Sequence, residues 1–503
     1  MYLGIDLGTS ELKALLLDVR HQIVASVGEP LTLQRPQPLW SEQQPADWWA
    51  ACDRALQRLA AAQPAAMAQV LALGLSGQMH GAVLIDEQGA VLRPAMLWND
   101  GRSGAECAEL ERRVPRLQAI TGNLAMPGFT APKLLWVARH EPAVFARIDG
   151  VLCPKDWLRL QLTGERVSDM SDAAGTLWLD VAARRWSPEM LAACGLHEAQ
   201  MPRLVEGSAA AGTLLPALAQ RWGLTGGAGK DGGKAVTVAG GGGDNAASAV
   251  GMGVVRAGEG FLSLGTSGVI FLASDHFQPN PAQAVHAFCH ALPGRWHQMS
   301  VMLSAASSLS WVTQLLGQPD EATLLARVAT LSAAQQARAP LFLPYLSGER
   351  TPHNNPQAQG VFFGLDASHA AAALGFAVIE GVAFGLLDGW RALGAAPGSV
   401  AALSLVGGGA RSALWAQLLA SALNLPLHTH TGGEAGGALG AARLGWLADL
   451  GARGVADAHA VARVCQAPPV AQRFEPEPDQ HAALMARYAR FQSLYPALKP
   501  VFG

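Results

Sequence analysis

The chain has 503 residues, half of them hydrophobic and 15% charged, with a formal net charge of −3. One hydrophobic core rarely extends beyond about 250–300 residues, so this length predicts two domains. The near-neutral charge balance and the lack of a basic run argue against a surface for nucleic acid or anionic membranes.

The cysteines and the N-terminal sequence predict a cytoplasmic protein. A strand is expected from residue 2, which leaves no room for a signal peptide. No run of 18 uninterrupted apolar residues predicts a membrane span. Six scattered cysteines without a C-x-x-C pair are typical of reduced, buried thiols: Cys52, Cys107, Cys153, Cys194, Cys289 and Cys465.

Residues 2–18 predict a strand, a tight turn and a second strand, because two apolar runs flank a short polar break. The break contains Asp6, Gly8, Thr9 and Ser10. Glycine lets the backbone approach a ligand, two hydroxyls can donate to phosphate oxygens, and the Asp6 carboxylate can hold Mg²⁺ through water. An ordinary hairpin that needs glycine only for its turn explains this segment alone equally well.

The following segments predict strands at 23–27 and 70–75, with a helix from Pro45 to residue 59 between them. A hairpin is expected over 83–92 and a helix within 126–140. Residues 223–234 are half glycine and predict a flexible surface loop. That stretch lacks the spacing of a P-loop, and neither of its lysines is followed by Ser or Thr.

Residues 261–273 repeat the first arrangement: apolar strand, Leu-Gly-Thr-Ser with Gly265 and Thr266, apolar strand. Two such hairpins indicate a duplicated domain, with residues 1–239 forming one half and 240–503 the other. The pair resembles the actin-like, ribonuclease H-like ATPase fold of sugar kinases, actin and heat-shock chaperones. This resemblance implies an α/β fold with an active-site cleft between two domains.

Two stretches beyond the hairpins suggest contacts with substrates. Asp244 follows four glycines, where the backbone can crowd a substrate, and a carboxylate there can take a proton from a sugar hydroxyl. Asn245 beside it offers a donor and an acceptor, although an Asx-capped turn also explains the pair. After a predicted strand at 403–406, Gly407–Gly409 would let a nucleotide lie on bare backbone, with Arg411 near its base or phosphates; a plain turn is the alternative.

Met79 and His80 end the strand predicted at 70–75, where they would face the cleft. His80 can donate to a sugar oxygen while Met79 packs on the apolar edge of the sugar, but lone residues of these types are more often structural. His286 and His290 have a helical metal spacing, yet the residues around them alternate as in a strand. We therefore predict no metal at that pair.

The chain resembles the FGGY family of carbohydrate kinases from Tyr2 to at least Gly445. The segment 128–140 fits the first family signature, while the second signature is degraded near Phe376, and Gly replaces a familiar Pro within 434–437. The motifs that carry the resemblance are DLGTS, PLWSEQ, GQMHGA, LWNDGR, TGNLAMPGFTAPKLLW, PKDWLRL, SDMSDAAGT, GGGDNAA, LSLGTSG, HALP, LPYLSGERTPHNNPQ and GGGAR.

The resemblance implies transfer of the ATP γ-phosphoryl group, with Mg²⁺, to a ketose, for which D-xylulose is expected. Asp244 would be the catalytic base, Asp6 an essential residue near the metal, and Met79, His80 and Asn245 the sugar ligands. A kinase for another ketose or polyol, a non-catalytic sugar sensor and a homodimeric assembly all stay open. The nucleotide would contact Gly8, Thr9, Ser10, Lys13, Gly265, Thr266, Gly408, Gly409 and Arg411.

Overall fold

The computed structural model describes residues 1–226, 235–432, 436–457 and 459–502. The glycine- and lysine-rich loop predicted at 223–234 therefore lies largely outside the described residues, as do positions 434 and 435. Within the described ranges the chain forms two seven-stranded sheets, with helices packed on them and five two-stranded ladders at the periphery.

The first sheet is built from the N-terminal half of the chain. Strands Tyr2–Leu7, Glu11–Leu17 and Ile23–Pro30 form an antiparallel meander, and Ala72–Gly77 pairs parallel to the first of them. The sheet continues from Ala72–Gly77 through Thr237–Ala239 to Ala210–Thr213, and the short strand Gly242–Gly243 pairs with Ala72–Gly77.

The second sheet repeats this topology. Gly260–Leu264, Gly268–Ser274 and Trp296–Met302 form the antiparallel meander, and Leu403–Val406 pairs parallel to the first of them. The same four-strand order in both sheets confirms the predicted duplication. The remaining strands are His286–Cys289 at one edge and Leu427–His430 followed by Val470–Phe474 at the other.

The ladders differ from the sequence prediction at one place. The predicted hairpin is present as a single bridge between Ile85 and Val91, with main-chain hydrogen bonds from Asp86 N to Ala90 O at 3.0 Å and from Leu92 N to Leu84 O at 2.9 Å. The full ladder of Val83–Ile85 is with Gly150–Leu152, a pairing that the sequence did not predict. The other ladders pair Glu42–Gln43 with Ala95–Met96, Val167–Asp169 with Arg203–Val205, Leu179–Asp180 with Arg185–Trp186, and Leu341–Leu343 with Val361–Phe363.

The helices cover both faces of the sheets. Those before residue 240 are Pro45–Ala62, Pro64–Met67, Gly104–Arg113, Leu117–Thr121, Thr130–His140, Pro142–Phe145, Pro154–Thr163, Met170–Ala174, Pro188–Ala193 and Pro216–Arg221. Those after it are Asp244–Gly251, Ala306–Leu315, Glu321–Val328, Ala333–Arg338, Ala371–Leu393, Ala413–Leu423, Gly436–Ala452, Ala460–Val464 and Pro478–Leu498.

Helix Ala371–Leu393 is, among the described helices, the one long and apolar enough to cross a membrane, with a mean hydropathy of 1.7 over its most apolar window. Yet 72% of that window is buried inside the protein. Its apolar composition is thus accounted for by its place in the core beneath the second sheet, where Phe376, Ile379 and Phe384 pack.

Helix Gly436–Ala452 crosses back from the second half of the chain and packs on the first sheet. A Cβ at Gly4 would lie 1.9 Å from the carbonyl oxygen of Ala438, so only glycine permits this approach of helix to strand. Tyr2 stacks on Trp446 at 4.9 Å and donates from its hydroxyl to Asp449 Oδ2 at 3.2 Å. The two halves are therefore interlocked, and the division at residue 240 stays a prediction.

Candidate active site

The cleft between the two sheets contains three adjoining cavities, which share lining residues. The inner cavity, about 320 Å³, is lined by Met79, His80 and Asp244. The middle cavity, about 790 Å³, is lined by Asp6 and Thr429. Asn245 and Ser263 line both of these cavities.

The outer cavity, about 1060 Å³, is lined by Gly265 and Thr266 of the second hairpin and by Trp415. Gly408 and Arg411 line both the middle and the outer cavity. The cleft thus brings residues predicted on five separate segments into one continuous space.

Asp244 lines the inner cavity beside Asn245, which lines both the inner and the middle cavity. It is the first residue of helix Asp244–Gly251, and its Oδ1 accepts hydrogen bonds from Asn245 N at 2.8 Å and Asn245 Nδ2 at 3.0 Å. Burial, reinforced by the nearby Asp6 carboxylate, raises the pKa of Asp244 to about 7, against the effect of those two hydrogen bonds. A carboxylate with this pKa can take up and release a proton at neutral pH.

Asp6 lies on the middle strand of the first sheet, between Lys13 and Ser76 on the neighbouring strands. Burial raises its pKa. Within the described residues, its Oδ1 is buried without a hydrogen-bond partner. A buried carboxylate oxygen that accepts no hydrogen bond can accept one from a water molecule bound to a divalent cation.

The turn of the first hairpin is held by a chain of side-chain hydrogen bonds. Thr9 Oγ1 donates to Gln78 Oε1 at 3.0 Å and accepts from Trp98 Nε1 at 3.0 Å, while Gln78 Nε2 donates to Gln43 Oε1 at 3.0 Å. The Thr9 hydroxyl was predicted to donate to phosphate, but its proton is already committed to Gln78. Ser10, at the exposed tip of the turn, keeps that capacity.

The turn of the second hairpin packs against the N-terminus of a helix. The carbonyl oxygen of Thr266 accepts from Ala305 N at 3.0 Å and from Ser307 Oγ at 2.8 Å, which fixes the turn against helix Ala306–Leu315. Main-chain N–H groups at a helix N-terminus, together with the helix dipole, favour phosphate. Facing this turn, Gly408–Arg411 forms one turn of 3₁₀ helix next to the strand that ends at Val406.

His80 has a left-handed backbone, with φ of 68°, which a non-glycine residue adopts only when its surroundings enforce it. Its carbonyl oxygen accepts from Lys133 Nζ at 2.8 Å and from Thr130 Oγ1 at 3.1 Å. Its ring Nδ1 lies 2.6 Å from the carbonyl oxygen of Gly175. Because that oxygen can only accept, Nδ1 carries the proton.

Burial lowers the pKa of His80 to about 3, so the ring is neutral and its Nε2 is an acceptor. The sequence predicted donation by His80 to a sugar oxygen, and this is corrected: with Nδ1 bonded to Gly175, the ring has only an acceptor, Nε2, to offer a ligand. Met79 packs beside it, within 2.7 Å of where a Cβ on Gly243 would lie, which explains the small residue before Asp244.

Two domain models of one family match the chain. The N-terminal domain of the FGGY family of carbohydrate kinases matches residues 1–251, and its C-terminal domain matches residues 260–448. The chain belongs to this family.

Similar proteins of the FGGY family extend over the whole chain. A xylulose kinase of Escherichia coli strain K12 is 52% identical, with 100% of both chains covered. One from Klebsiella pneumoniae is 55% identical, with 89% of this chain and 90% of the relative covered. The crystal structure of a xyloylose kinase from Brucella ovis superposes with a TM-score of 0.93 at 51% identity, covering 99% of each chain.

FGGY membership confirms the predicted two-domain fold and makes this protein a carbohydrate kinase. The residues that sequence reasoning missed lie inside motifs it had already recognised. Lys133, in the first signature, holds the backbone of His80. Trp98 lines the inner cavity and contacts Thr9, and Arg350 lines the same cavity from the second half. Spacing could not assign them, because each acts on a residue distant in sequence.

We expect Lys133→Met to weaken sugar binding selectively. Lys133 Nζ also donates to the carbonyl oxygen of Gly128 at 2.7 Å, so its loss leaves two carbonyl groups without this donor. Burial lowers the pKa of Lys133 to about 7, so the expected loss is only the cost of leaving each carbonyl group unpaired, about 1–3 kcal/mol. The KM for sugar should therefore rise roughly 10-fold or more while the KM for ATP stays unchanged. Steady-state kinetics with either substrate varied measure this.

Thr130→Val is the matched control, because it removes one neutral donor to the same carbonyl oxygen. Its effect on the KM for sugar should be several-fold smaller. A Lys133→Met protein that melts at a lower temperature but has an unchanged KM for sugar would assign Lys133 to fold stability alone.

Proposed function

We propose that the protein transfers the γ-phosphoryl group of ATP to the terminal hydroxyl of D-xylulose. The observation that carries this proposal is the position of Asp244, whose pKa is about 7. It lines the small inner cavity next to Asn245, which also lines the middle cavity together with Asp6 of the first hairpin and Ser263 of the second. The names of the relatives, which match at 52% and 55% identity, support D-xylulose as the sugar.

Asp244 would act as the general base. It accepts the proton of the attacking hydroxyl as the bond to the γ-phosphorus forms, and ADP leaves as the bond to its β-phosphate oxygen breaks. Asn245 Nδ2 donates to Asp244, which leaves the Oδ1 of Asn245 to accept from a sugar hydroxyl. His80 Nε2 accepts from a second hydroxyl, and Met79 packs against the apolar edge of the sugar.

The nucleotide would occupy the middle and outer cavities. Bound Mg²⁺ would supply positive charge at the phosphates, and the unpartnered Asp6 Oδ1 supports Asp6 as the residue that holds its water shell. The adenosine end would lie over Gly408 and Gly409, beside Arg411. The phosphate contacts would come from the two turns and the following strand: Gly8, Thr9 through its main chain, Ser10, Lys13, Gly265 and Thr266.

The experiment is the release of ADP from MgATP over a panel of D-xylulose, D-ribulose, ribitol and glycerol. The kcat/KM should be highest with D-xylulose, and a purified Asp244→Asn protein controls for contaminating kinases. Faster turnover of ribulose or a polyol would reassign the substrate. Sugar binding without ADP release from any member of the panel would make the protein a sensor.

We also place it in the cytosol, because its cysteines are free and buried thiols.

A further inference from the structure

Arg350 projects into the inner cavity from the second half of the chain, on a loop that is rigidly held. On one side of it, Glu349 Oε1 accepts from Leu303 N at 3.0 Å. On the other side, Thr351 N donates to Val301 O at 3.0 Å, and Val301 N donates to Thr351 Oγ1 at 3.0 Å. Strand Trp296–Met302 and Leu303 just after it therefore hold both neighbours of Arg350 in place.

The charge of Arg350 is not compensated by an anion. Within the described ranges the guanidinium forms no ion pair, and its Nη1 donates to His286 Nε2 at 3.1 Å. His286 Nδ1 lies 2.9 Å from Asn123 Oδ1, and the amide nitrogen of Asn123 donates to Ala287 O at 2.9 Å. The Asn123 oxygen must then accept from Nδ1, so the imidazole is neutral and offers Arg350 only a lone pair.

Glu349, the neighbouring acidic residue, does not form an ion pair with this charge either. It is 2% exposed, burial raises its pKa to about 8, and its Oε1 already accepts two main-chain N–H groups, from Leu303 and Arg350. When ionised it attracts Arg350 only from beyond ion-pair distance. Among the described residues, no carboxylate therefore pairs directly with the cation that faces the cavity.

Much of the wall of this cavity is apolar, from Phe129, Phe288, Met299 and Val301, while Asp244, Asn245, Ser263 and Ser267 also line it. A cation in such surroundings loses hydration free energy unless a ligand supplies oxygen atoms. A guanidinium presents a planar fork of donors that fits a carboxylate. Asp244 and Arg350 line one cavity of about 320 Å³, which suits a ligand with a hydroxyl at one end and acceptor oxygens at the other.

We propose that Arg350 binds the end of the sugar opposite the phosphorylated hydroxyl, and that it makes the inner cavity a site for five-carbon aldonates as well as ketoses. The carbonyl and neighbouring hydroxyl of a ketose, or the carboxylate of an aldonate, accept from the guanidinium. This orientation rests on the proposed function, since it takes Asp244 as the base at the other end. A polyol without a carbonyl group would gain least from Arg350.

Calorimetric titration of D-xylonate and xylitol into the protein tests this without turnover. The wild-type protein should bind xylonate at least about 10-fold more tightly than xylitol, because a charge-assisted bidentate pair exceeds a neutral hydrogen bond. Arg350→Gln should weaken xylonate binding about 10–100-fold and xylitol binding less than about 3-fold. Arg350→Lys should lie between the two, since it keeps the charge and loses the fork.

Arg166→Gln is the matched control, because it removes the same charge from a surface ion pair with Asp149 and should change neither titration. Xylonate binding no tighter than xylitol in the wild-type protein, or equal losses for both ligands in Arg350→Gln, would overturn the inference. The proposed function fails separately. Arg350-dependent xylonate binding in a protein that does not phosphorylate D-xylulose would retain this site and discard that substrate.

Discussion

Asp244→Asn should reduce kcat with D-xylulose by about 10²–10⁴-fold, the usual contribution of a positioned general base. The substitution preserves the side-chain volume and removes the proton acceptor. The affinity for ATP should change little, because Asp244 lines the inner cavity and the nucleotide would lie beyond it. Rapid-quench and steady-state measurements of ADP formation test this, and activity within about threefold of wild type would place the base elsewhere.

The pH dependence of the wild-type enzyme should show the same group. The base must be ionised, and with a pKa of about 7 it becomes protonated as the pH falls below neutrality. The kcat/KM for sugar should therefore fall about tenfold per pH unit on the acid side of that value. An acid limb near pH 4 would mean that Asp244 titrates like an exposed carboxylate and is not the group observed.

The melting temperature offers a control, because Asp244→Asn should lower activity but should not lower stability. The folded-state pKa of Asp244 lies above the ordinary value of 3.8, so ionisation above that value disfavours the folded protein. Asp244→Asn removes this cost. The variant should melt at or above the wild-type temperature at pH 8, and the difference should shrink as the pH falls towards 5. A lower melting temperature at pH 8 would attribute lost activity to misfolding.

Arg487→Leu should destabilise the second half of the protein by about 3–5 kcal/mol, the usual cost of leaving a buried charge without its partner. Arg487 forms two parallel hydrogen bonds to Glu380, 2.6 Å from Nε to Oε1 and 2.7 Å from Nη2 to Oε2. Glu380 is fully buried in helix Ala371–Leu393, and burial raises its pKa. Denaturant unfolding, followed by hydrogen exchange in that helix, measures the loss.

Glu380→Gln combined with Arg487→Leu should recover part of that stability, because it removes the unpaired charge. The recovery is incomplete, since Arg487 also donates to the carbonyl oxygens of Ala337 at 2.9 Å and Pro340 at 3.2 Å. A loss below about 1 kcal/mol in the single variant would show that Glu380 is already protonated in the native protein.

Local sequence patterns predicted the hairpins, the duplication and the position of Asp244, because each depends on a contiguous run of residues. The resemblance to the FGGY family, which the family models confirmed, supplied the overall fold and the reaction class. Two kinds of feature could not be predicted from the sequence. The tautomer of His80 depends on the carbonyl group of Gly175, 95 positions away, and the fate of the Thr9 hydroxyl depends on Gln78 and Trp98. No spacing rule connects such partners.

The pairing of Val83–Ile85 with Gly150–Leu152 was missed for the same reason. A turn at 86–89 favoured the neighbouring segment, whereas the strand that completes the ladder, Gly150–Leu152, follows four intervening helices. Arg350 lies in a motif that the sequence analysis recognised. Its proposed role, however, depends on the lack of a carboxylate paired with it among the described residues. An unbalanced charge is a property of the assembled cavity and has no signature along the chain.

The return of helix Gly436–Ala452 to the first sheet has a consequence for how the protein is made. Until the ribosome has released that helix, Tyr2, Leu15, Leu17 and Ala72 lack the surface that buries them in the finished protein. A nascent chain of some 430 residues therefore carries a nearly complete N-terminal sheet with one apolar face uncovered, and chains in that state aggregate readily. Vectorial synthesis cannot finish the first domain before the second, so chaperones that shield apolar strips should engage this polypeptide until translation nears its end.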